Sequence, residues 1–172
     1  MSIQADKVLA SIITIGDELL IGQTIDTNSA WMAQQLNAMG IWVHRRVAIG
    51  DVREAILEAL EKEGTVSDIV LITGGLGPTA DDITKPLLCD YFGGKLVVNE
   101  QVLAHVKFLF EKVFRRPGPV LERNLKQAEV PDNCTVLMND RGTAPGMLFT
   151  PQSTKVKAKV VISLPGVPHE MK

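Results

Sequence analysis

The chain has 172 residues, of which 45% are hydrophobic and 22% are charged, and its formal net charge is −2. These values are ordinary for a globular domain and exclude a disordered, collagen-like or coiled-coil chain. Because the charge is close to zero, no broad positive field exists, and we expect no general binding to nucleic acid or to an anionic membrane.

The first half of the chain alternates strand and helix patterns. The aliphatic run over 7–15 predicts a strand buried on both faces. Strands separated by helices of about a dozen residues are typical of parallel βαβ units with helices on both faces of the sheet, so the predicted fold class is α/β. The other predicted elements here are strands over 41–49 and 68–73 and helices that end at Gly40 and Gly64.

The second half is less regular. A short helix from near Thr84 to Phe92 is followed by a longer helix over about 99–114 and a short helix through Leu121 and Leu125. Strands are expected over 135–138, 147–150 and 156–164, and the last two are predicted to form a hairpin. A further helix is expected to begin at Pro168. We expect one domain over 1–172, cut short at its carboxyl end relative to a longer parent protein.

Three loops at the ends of the predicted parallel strands are candidates for ligand binding, namely 16–28, 50–51 and 74–84, because ligands of such sheets bind outside the carboxyl ends of the strands. Gly74, Gly75 and Gly77 allow backbone N–H groups to approach a phosphate closely. The segment GGLGPTADD has neither the GK[ST] ending of a Walker loop nor a complete dinucleotide fingerprint. ATPase and dehydrogenase functions therefore have little support.

Two acidic residues, Asp81 and Asp82, follow the glycine turn. Thr79 and Asp82 match a helix capping box, which is the alternative interpretation. A helix beginning just after Thr79 would place Pro86 in its second turn at a cost of about 3 kcal/mol, so we expect the helix to begin near Thr84. Asp81 and Asp82 are then neighbouring loop carboxylates that need a cation or hydrogen-bond donors, and we favour a magnesium-type site over capping.

Acidic and amide side chains also follow the first two strands. Asp17 directly follows the first strand and is expected to point into the same crevice, whereas Glu18 is expected to be solvated. Asp51, with Glu54 three residues on, is either a helix cap or a ligand contact. Asn28 is one of three candidate caps of the first helix, together with Asp26 and Thr27.

Other reactive residues give no comparable signal. The three histidines are scattered without metal spacing, and no GxSxG nucleophile motif is present. Cys89 and Cys134 form neither a disulfide framework nor a CxxC motif. No segment has the roughly 18 to 20 apolar residues of a membrane span, and the start of the chain lacks a signal-peptide cleavage site, so a cytoplasmic location is expected.

Four segments together resemble a known family: GDELLIGQTIDTNS, GGLGPTADDIT, NDRGTAPG from Asn139 to Gly146, and LPGVPHEM from Leu164. The chain resembles the amino-terminal domain of CinA, the competence/damage-inducible protein, within the molybdopterin-binding fold of MogA and MoaB. The resemblance implies a three-layer α/β/α sandwich with a mainly parallel sheet. It also implies assembly as a dimer or trimer and a ligand that is a nucleotide pyrophosphate or a pterin phosphate.

The resemblance further implies an activity. CinA domains similar to this one cleave ADP-ribose to AMP and ribose 5-phosphate with a divalent metal, whereas MogA-like relatives bind or adenylylate molybdopterin. CinA proteins usually carry a carboxy-terminal amidase domain, and this chain stops before it, so no amidase activity is expected. The alternative functions are a non-hydrolytic module that binds molybdopterin or a nucleotide, and MogA-like adenylyl transfer in molybdenum cofactor synthesis.

We expect Asp17, Asp81 and Asp82 to hold the metal, Asp82 and Asp51 to be catalytic, and water to be the nucleophile. Lys85 either assists electrostatically or is simply solvated. The candidate ligand-binding residues are Asn28, Gly74, Gly75, Gly77, Thr79, Asn139, Gly142 and Thr143.

Overall fold

The computed structural model describes residues 7–79, 82–115, 118–152 and 156–171. Asp81, one of the predicted metal ligands, lies outside these residues. The strands are β1 (Leu9–Ile15), β2 (Trp42–Ile49), β3 (Ile69–Thr73), β4 (Leu96–Val98), β5 (Glu129–Pro131), β6 (Thr135–Leu137), β7 (Gly146–Phe149) and β8 (Val160–Leu164). The α-helices are α1 (Asp17–Leu20), α2 (Thr27–Ala38), α3 (Arg53–Val66), α4 (Thr84–Tyr91), α5 (Glu100–Phe108), α6 (Glu122–Leu125) and α7 (Pro168–Met171).

The central sheet has six strands within the described residues, in the order β2, β1, β3, β8, β7, β6. Strands β2, β1, β3 and β8 run parallel to one another. Strand β7 runs antiparallel to both β8 and β6. The predicted parallel arrangement of the first three strands and the predicted antiparallel pairing of the last two are both confirmed. The carboxyl ends of four neighbouring parallel strands therefore meet at one edge of the sheet.

Helices cover both faces of this sheet. On one face, Ile13 of β1 packs in a core that includes Leu60 of α3 and side chains of α4. On the other face, Ile12 packs with Leu36 of α2 and Met171 of α7. Because successive strand residues point to opposite faces, β1 contributes to both cores and is buried almost completely. This arrangement is the predicted three-layer α/β/α sandwich.

A smaller unit packs beside the sandwich. It consists of the antiparallel pair β4 and β5 together with α5. Helix α5 continues as a π-helical turn over Leu109–Val113. Val102 and Val106 of α5 form a third buried cluster with Ala128. The strand pair was not predicted, because each strand has only three residues and all three residues of β4 are exposed, which leaves no alternating pattern to read.

Two expected details at helix starts had different outcomes. The helix after the glycine turn begins at Thr84, as predicted from Pro86. The interpretation of Asp51 as a helix cap is wrong, because α3 begins at Arg53, its cap position is Val52, and no side chain bonds there. The carboxylate of Asp51 instead accepts a backbone N–H from the loop after β1.

Candidate functional site

A cavity of about 450 Å³ opens at the carboxyl ends of the parallel strands. Its walls come from the loops that follow β1, β2, β3 and β8, which is the placement expected for a ligand site in an open α/β sheet. We call this cavity the crevice. It is lined by 14–16, 18–19, 24–28, 73–77 and 166–168, together with Asp51 and Asp82.

The charged side chains that line the crevice are acidic. Glu18, Asp26, Asp51 and Asp82 contribute to its walls, and none of the lysines, arginines and histidines in the described part of the chain does so. Burial raises the pKa of Asp51 above its ordinary value; a backbone hydrogen bond from Asp17 opposes the rise, and the nearby carboxylates of Asp17, Glu18 and Asp82 add to it. The crevice therefore concentrates negative charge that a cation would stabilise.

Asp17 connects the first two loops and does not line the crevice. Its Oδ1 atom accepts the N–H of Asp51, and its own N–H donates to Asp51 Oδ2, each over 3.2 Å. Gly50 makes this close pairing possible, because a Cβ there would lie 2.5 Å from Asp17 Oδ1. The expectation that Asp17 points into the crevice is wrong for this reason.

The glycine turn after β3 depends on the missing side chains of two residues. Gly74 and Gly75 have φ angles of +109° and +66°, and a Cβ on either would collide with the carbonyl of Ile15 or the hydroxyl of Thr84, respectively. The N–H of Gly74 donates to the carbonyl of Leu164 over 3.2 Å, so this amide is already used within the fold. The amides expected to meet a phosphate are therefore those of 75–77.

Asp82 is held in place by Thr79. Its Oδ2 atom accepts the Thr79 N–H over 2.9 Å and also a short hydrogen bond from the Thr79 hydroxyl. These contacts are the reciprocal half of a capping box, although the helix itself begins two residues after Asp82. Thr79 is exposed and does not line the crevice, so its role here is to orient Asp82.

Asn28 joins three walls of the crevice. Its Nδ2 group donates to Thr73 Oγ1 over 3.1 Å and to the carbonyl of Gly166 over 2.7 Å, and Thr73 Oγ1 donates to the carbonyl of Pro165 over 2.8 Å. Of the three candidate caps of α2, the structure uses Asp26, whose carboxylate accepts the N–H of Ser29. Asn28 is thus free of capping and lines the crevice, as the ligand-binding prediction requires.

The NDRGTAPG segment lies at the same edge of the sheet but outside the crevice. It follows β6, which is separated from β8 by β7 and so lies about 10 Å from it at ordinary strand spacing. Asn139 donates to Glu170 of α7 over 3.3 Å, and Gly142 leaves room for the Glu170 carboxylate. Asn139, Gly142 and Thr143 therefore do not line the crevice, contrary to the expectation from the resemblance.

The described residues do not form a preassembled metal centre. No three carboxylate, imidazole or thiol groups among them come close enough to hold an ion. Asp82 and Asp51 do line the crevice, as does Glu18, which is also exposed to solvent as expected. Mg²⁺ commonly uses only one or two protein carboxylates together with substrate phosphates and water, and these residues fit that mode.

Lys85 has no place in the crevice. Its Nζ atom donates to the carbonyl of Lys126 over 2.9 Å. Burial lowers the pKa of Lys85 to about 8, although Glu129 and Asp82 both act to raise it. The lysine is thus neither simply solvated nor directed at the ligand.

The sequence did not lead us to predict that 166–168 forms the fourth wall of the crevice. Gly166 approaches Gly74 so closely that a Cβ on Gly166 would lie 3.1 Å from the Gly74 Cα. The segment LPGVP after a predicted strand was the available signal, but only the parallel pairing of β8 with β3 brings it to the crevice.

None of the helices in the described residues has the length and apolar character needed to span a membrane.

Comparison with known proteins identifies similar sequences and folds. Residues 11–172 match the family described as "Probable molybdopterin binding domain". A CinA-like protein of Flavobacterium psychrophilum is 52% identical over 163 residues, which are 95% of this chain and 37% of that protein. A putative competence-damage inducible protein of Caldicellulosiruptor bescii is 42% identical over 164 residues, which are 95% of this chain and 38% of that protein. The chain thus spans about two fifths of the length of these curated relatives.

Two solved structures show the same architecture. The CinA protein from Thermoplasma acidophilum matches with a TM-score of 0.79 and 36% identity, over 97% of this chain and 93% of that one. The tungsten cofactor synthesizing protein MoaB from Pyrococcus furiosus matches with a TM-score of 0.57 and 19% identity, over 97% of this chain and 87% of that one. At that identity the second likeness concerns the fold alone.

Proposed function

This chain belongs to the probable molybdopterin binding domain family as a CinA-like member, and from this premise we propose that its crevice binds a nucleotide pyrophosphate and hydrolyses it. ADP-ribose, cleaved to AMP and ribose 5-phosphate, is the substrate we favour. The observation that carries the proposal is the convergence of Glu18, Asp51 and Asp82 on a cavity beside a glycine turn.

The charge of the crevice argues for a divalent cation that arrives with the ligand. A pyrophosphate and several carboxylates repel one another, and no basic side chain of the described residues lines the crevice to offset this charge. Mg²⁺ is commonly held by one or two carboxylates together with substrate phosphates and its own waters, so it would not require a protein cage here. When bound, the cation would neutralise charge on the phosphate oxygens and make the phosphorus more electrophilic. Asp82 and Glu18 are the residues we assign to hold it.

Residues of the chain itself then position the reactants. The N–H groups of 75–77 are assigned to the phosphate that is not attacked, since backbone amides at a glycine turn bind anions well. Asp51 is assigned to orient the attacking water and accept its proton. Burial and the neighbouring carboxylates favour its protonated form, which makes it a better proton acceptor than an ordinary aspartate.

A second function, ligand binding without hydrolysis, is favoured by one observation. Hydrolysis is helped by a general acid that protonates the leaving oxygen, and no histidine, lysine or tyrosine from the described residues lines the crevice. A phosphate is a good leaving group and needs less help than most, so we keep hydrolysis as the proposal. A pterin phosphate is the ligand of the alternative, in keeping with the description of the family.

The deciding experiment measures affinity and turnover separately. The chain is titrated with ADP-ribose in the presence and absence of Mg²⁺ by calorimetry, and AMP release is followed by chromatography. We expect Mg²⁺-dependent binding and AMP formation in the wild type and loss of turnover in Asp82→Asn, whose amide oxygen still accepts the Thr79 N–H and so preserves the fold. Asp90→Asn, a change at an exposed carboxylate on α4, is the control.

Saturable binding without AMP would favour the binding module instead. Absence of any ADP-ribose affinity would contradict the proposal. Unchanged hydrolysis in Asp82→Asn would remove that residue from the mechanism.

A further inference from the structure

The side-chain amide of Asn28 has a fixed orientation. Both hydrogens of Nδ2 are used, one toward Thr73 Oγ1 and the other toward the carbonyl of Gly166. Thr73 gives its own hydrogen to the carbonyl of Pro165, so its oxygen can only accept from Asn28. A flipped amide would place Oδ1 against the Gly166 carbonyl, bringing two acceptors together.

This orientation leaves one acceptor without a donor. Asn28 is 5% exposed, and its Oδ1 atom is buried without a hydrogen-bond partner among the residues that the structure describes. Buried polar atoms in folded proteins nearly always have partners, and an unpaired one is costly. Asn28 lines the crevice, and a ligand donor that reaches Oδ1 there would supply the missing hydrogen bond.

We propose that Asn28 is a specificity-determining residue of the crevice, whose NH₂ group fixes the loop after β8 against β3 and whose Oδ1 accepts a hydrogen bond from the non-phosphate part of the ligand. This inference rests on the proposed function. Ionised phosphate oxygens are acceptors and would be repelled by Oδ1, whereas a ribose hydroxyl or a ring N–H is a suitable donor. The crevice thus presents donors at 75–77 and an acceptor at Asn28.

Two ligands separate the two roles of Asn28. ADP-ribose carries hydroxyl and amino donors, whereas inorganic pyrophosphate carries the phosphates alone; each is titrated with Mg²⁺ by calorimetry. We expect Asn28→Ala to weaken ADP-ribose binding by roughly three- to tenfold more than pyrophosphate binding, the loss typical of one neutral hydrogen bond. Thr73→Val removes a wall contact but leaves Oδ1 in place, so it should weaken both ligands equally. Thr73→Ser keeps the hydroxyl and should restore the binding of both ligands that Thr73→Val loses.

The positioning role has a readout that needs no ligand. Hydrogen exchange of the peptide covering 160–171 should be faster in Asn28→Ala and Thr73→Val than in the wild type, and Thr73→Ser should reverse the effect of Thr73→Val. Unchanged exchange in the first two variants would overturn the positioning role.

The wild type also tests the acceptor role, in case a variant fails to fold. A hydrogen bond to Oδ1 should move the ¹³Cγ resonance of Asn28 downfield when ADP-ribose binds but not when pyrophosphate binds. Equal losses of both ligands in Asn28→Ala, or an unshifted Asn28 resonance at saturation, would overturn the acceptor role. If the wild type bound neither ligand, the proposed function and the acceptor role would both fail, while the exchange comparison would still decide the positioning role.

Discussion

Asp17 and Asp51 exchange hydrogen bonds, each carboxylate accepting the backbone N–H of the other residue over 3.2 Å. This pairing ties the loop after β1 to the loop after β2 at the mouth of the crevice. It also brings two negative charges close together, and Glu18 and Asp82 add to the repulsion felt by Asp51. Hydrogen bonds therefore hold the two loops together at Asp51, where repulsion between carboxylates also acts against the fold.

Removing the negative charge of Asp51, as in Asp51→Asn, should stabilise the protein while inactivating it. Because its pKa is higher in the fold than in the unfolded chain, ionisation of Asp51 weakens the fold as pH rises through these pKa values. In Asp51→Asn the amide oxygen still accepts the Asp17 N–H. We expect Tm at pH 7 to rise by about 1 to 3 °C, a gain that disappears below about pH 4, and AMP release to be lost. Calorimetric melts across pH test this, and a lower Tm at pH 7 would contradict it.

Gly77→Ala should displace Asp82 without disturbing the backbone. A Cβ on Gly77 would lie 2.8 Å from Asp82 Cγ and closer still to Oδ2, so the carboxylate must move away. The expected result is a fall of at least about tenfold in Mg²⁺-dependent AMP release with a Tm within about 3 °C of the wild type.

Gly22→Ala is the steric control for that variant. A Cβ on Gly22 meets no atom within 4 Å, although its φ of +73° makes alanine strained there. This control should lose some stability but keep its activity. Full activity in Gly77→Ala would argue against a catalytic position for Asp82.

Arg45→Met should destabilise the fold more than Arg46→Met, the same change at the neighbouring exposed arginine. Arg45 NH1 lies 3.1 Å from Oε1 of Glu63, a carboxylate that is only 1% exposed, and Ser11 Oγ donates to the other oxygen over 2.8 Å. Removing the arginine leaves a buried charge with less compensation, at a cost of about 1 to 3 kcal/mol. Urea unfolding at pH 7 measures the free energy of unfolding of both variants, and equal values would contradict the assigned role of this ion pair.

Cys134 should react slowly with alkylating reagents in the folded protein. Burial raises the pKa of its thiol to about 11, with Cys89 and Asp132 adding to the rise and a backbone hydrogen bond opposing it. Since the thiolate is the nucleophile, iodoacetamide labelling at pH 8 should be at least about tenfold slower than in urea and should accelerate as pH approaches 11. Peptide mass spectrometry follows the modification, and equal rates in buffer and urea would refute the prediction.

Much of the fold was predictable because its signals are local. The aliphatic runs of β1 and β3 mark buried strands, and Pro86 correctly places the start of α4 at Thr84. By contrast, α1 has only four residues and no apolar stripe, so it looked like part of a loop. The insertion of β8 between β3 and β7 depends on pairing across about 90 residues, for which no local pattern exists.

The same division applies to the site. The three loops predicted to converge do so, and Asp51, Asp82 and Asn28 line the crevice. The direction of an individual side chain was not predictable, as Asp17 shows, because its orientation depends on the backbone of a loop 34 residues away. Glu18 is exposed as expected, and its place in the crevice wall was not predictable for the same reason.

The place of β8 in the sheet also constrains when the protein can fold. Until Val160–Leu164 has been synthesised, β3 presents an open edge and the segment 69–73 has a parallel partner on one side only. Nascent chains would therefore expose an aliphatic edge while the segment from 74 to 164 is being synthesised, a state in which such strands pair readily with other molecules. Production of the protein should depend strongly on chaperone supply and temperature, more so than its final stability would suggest.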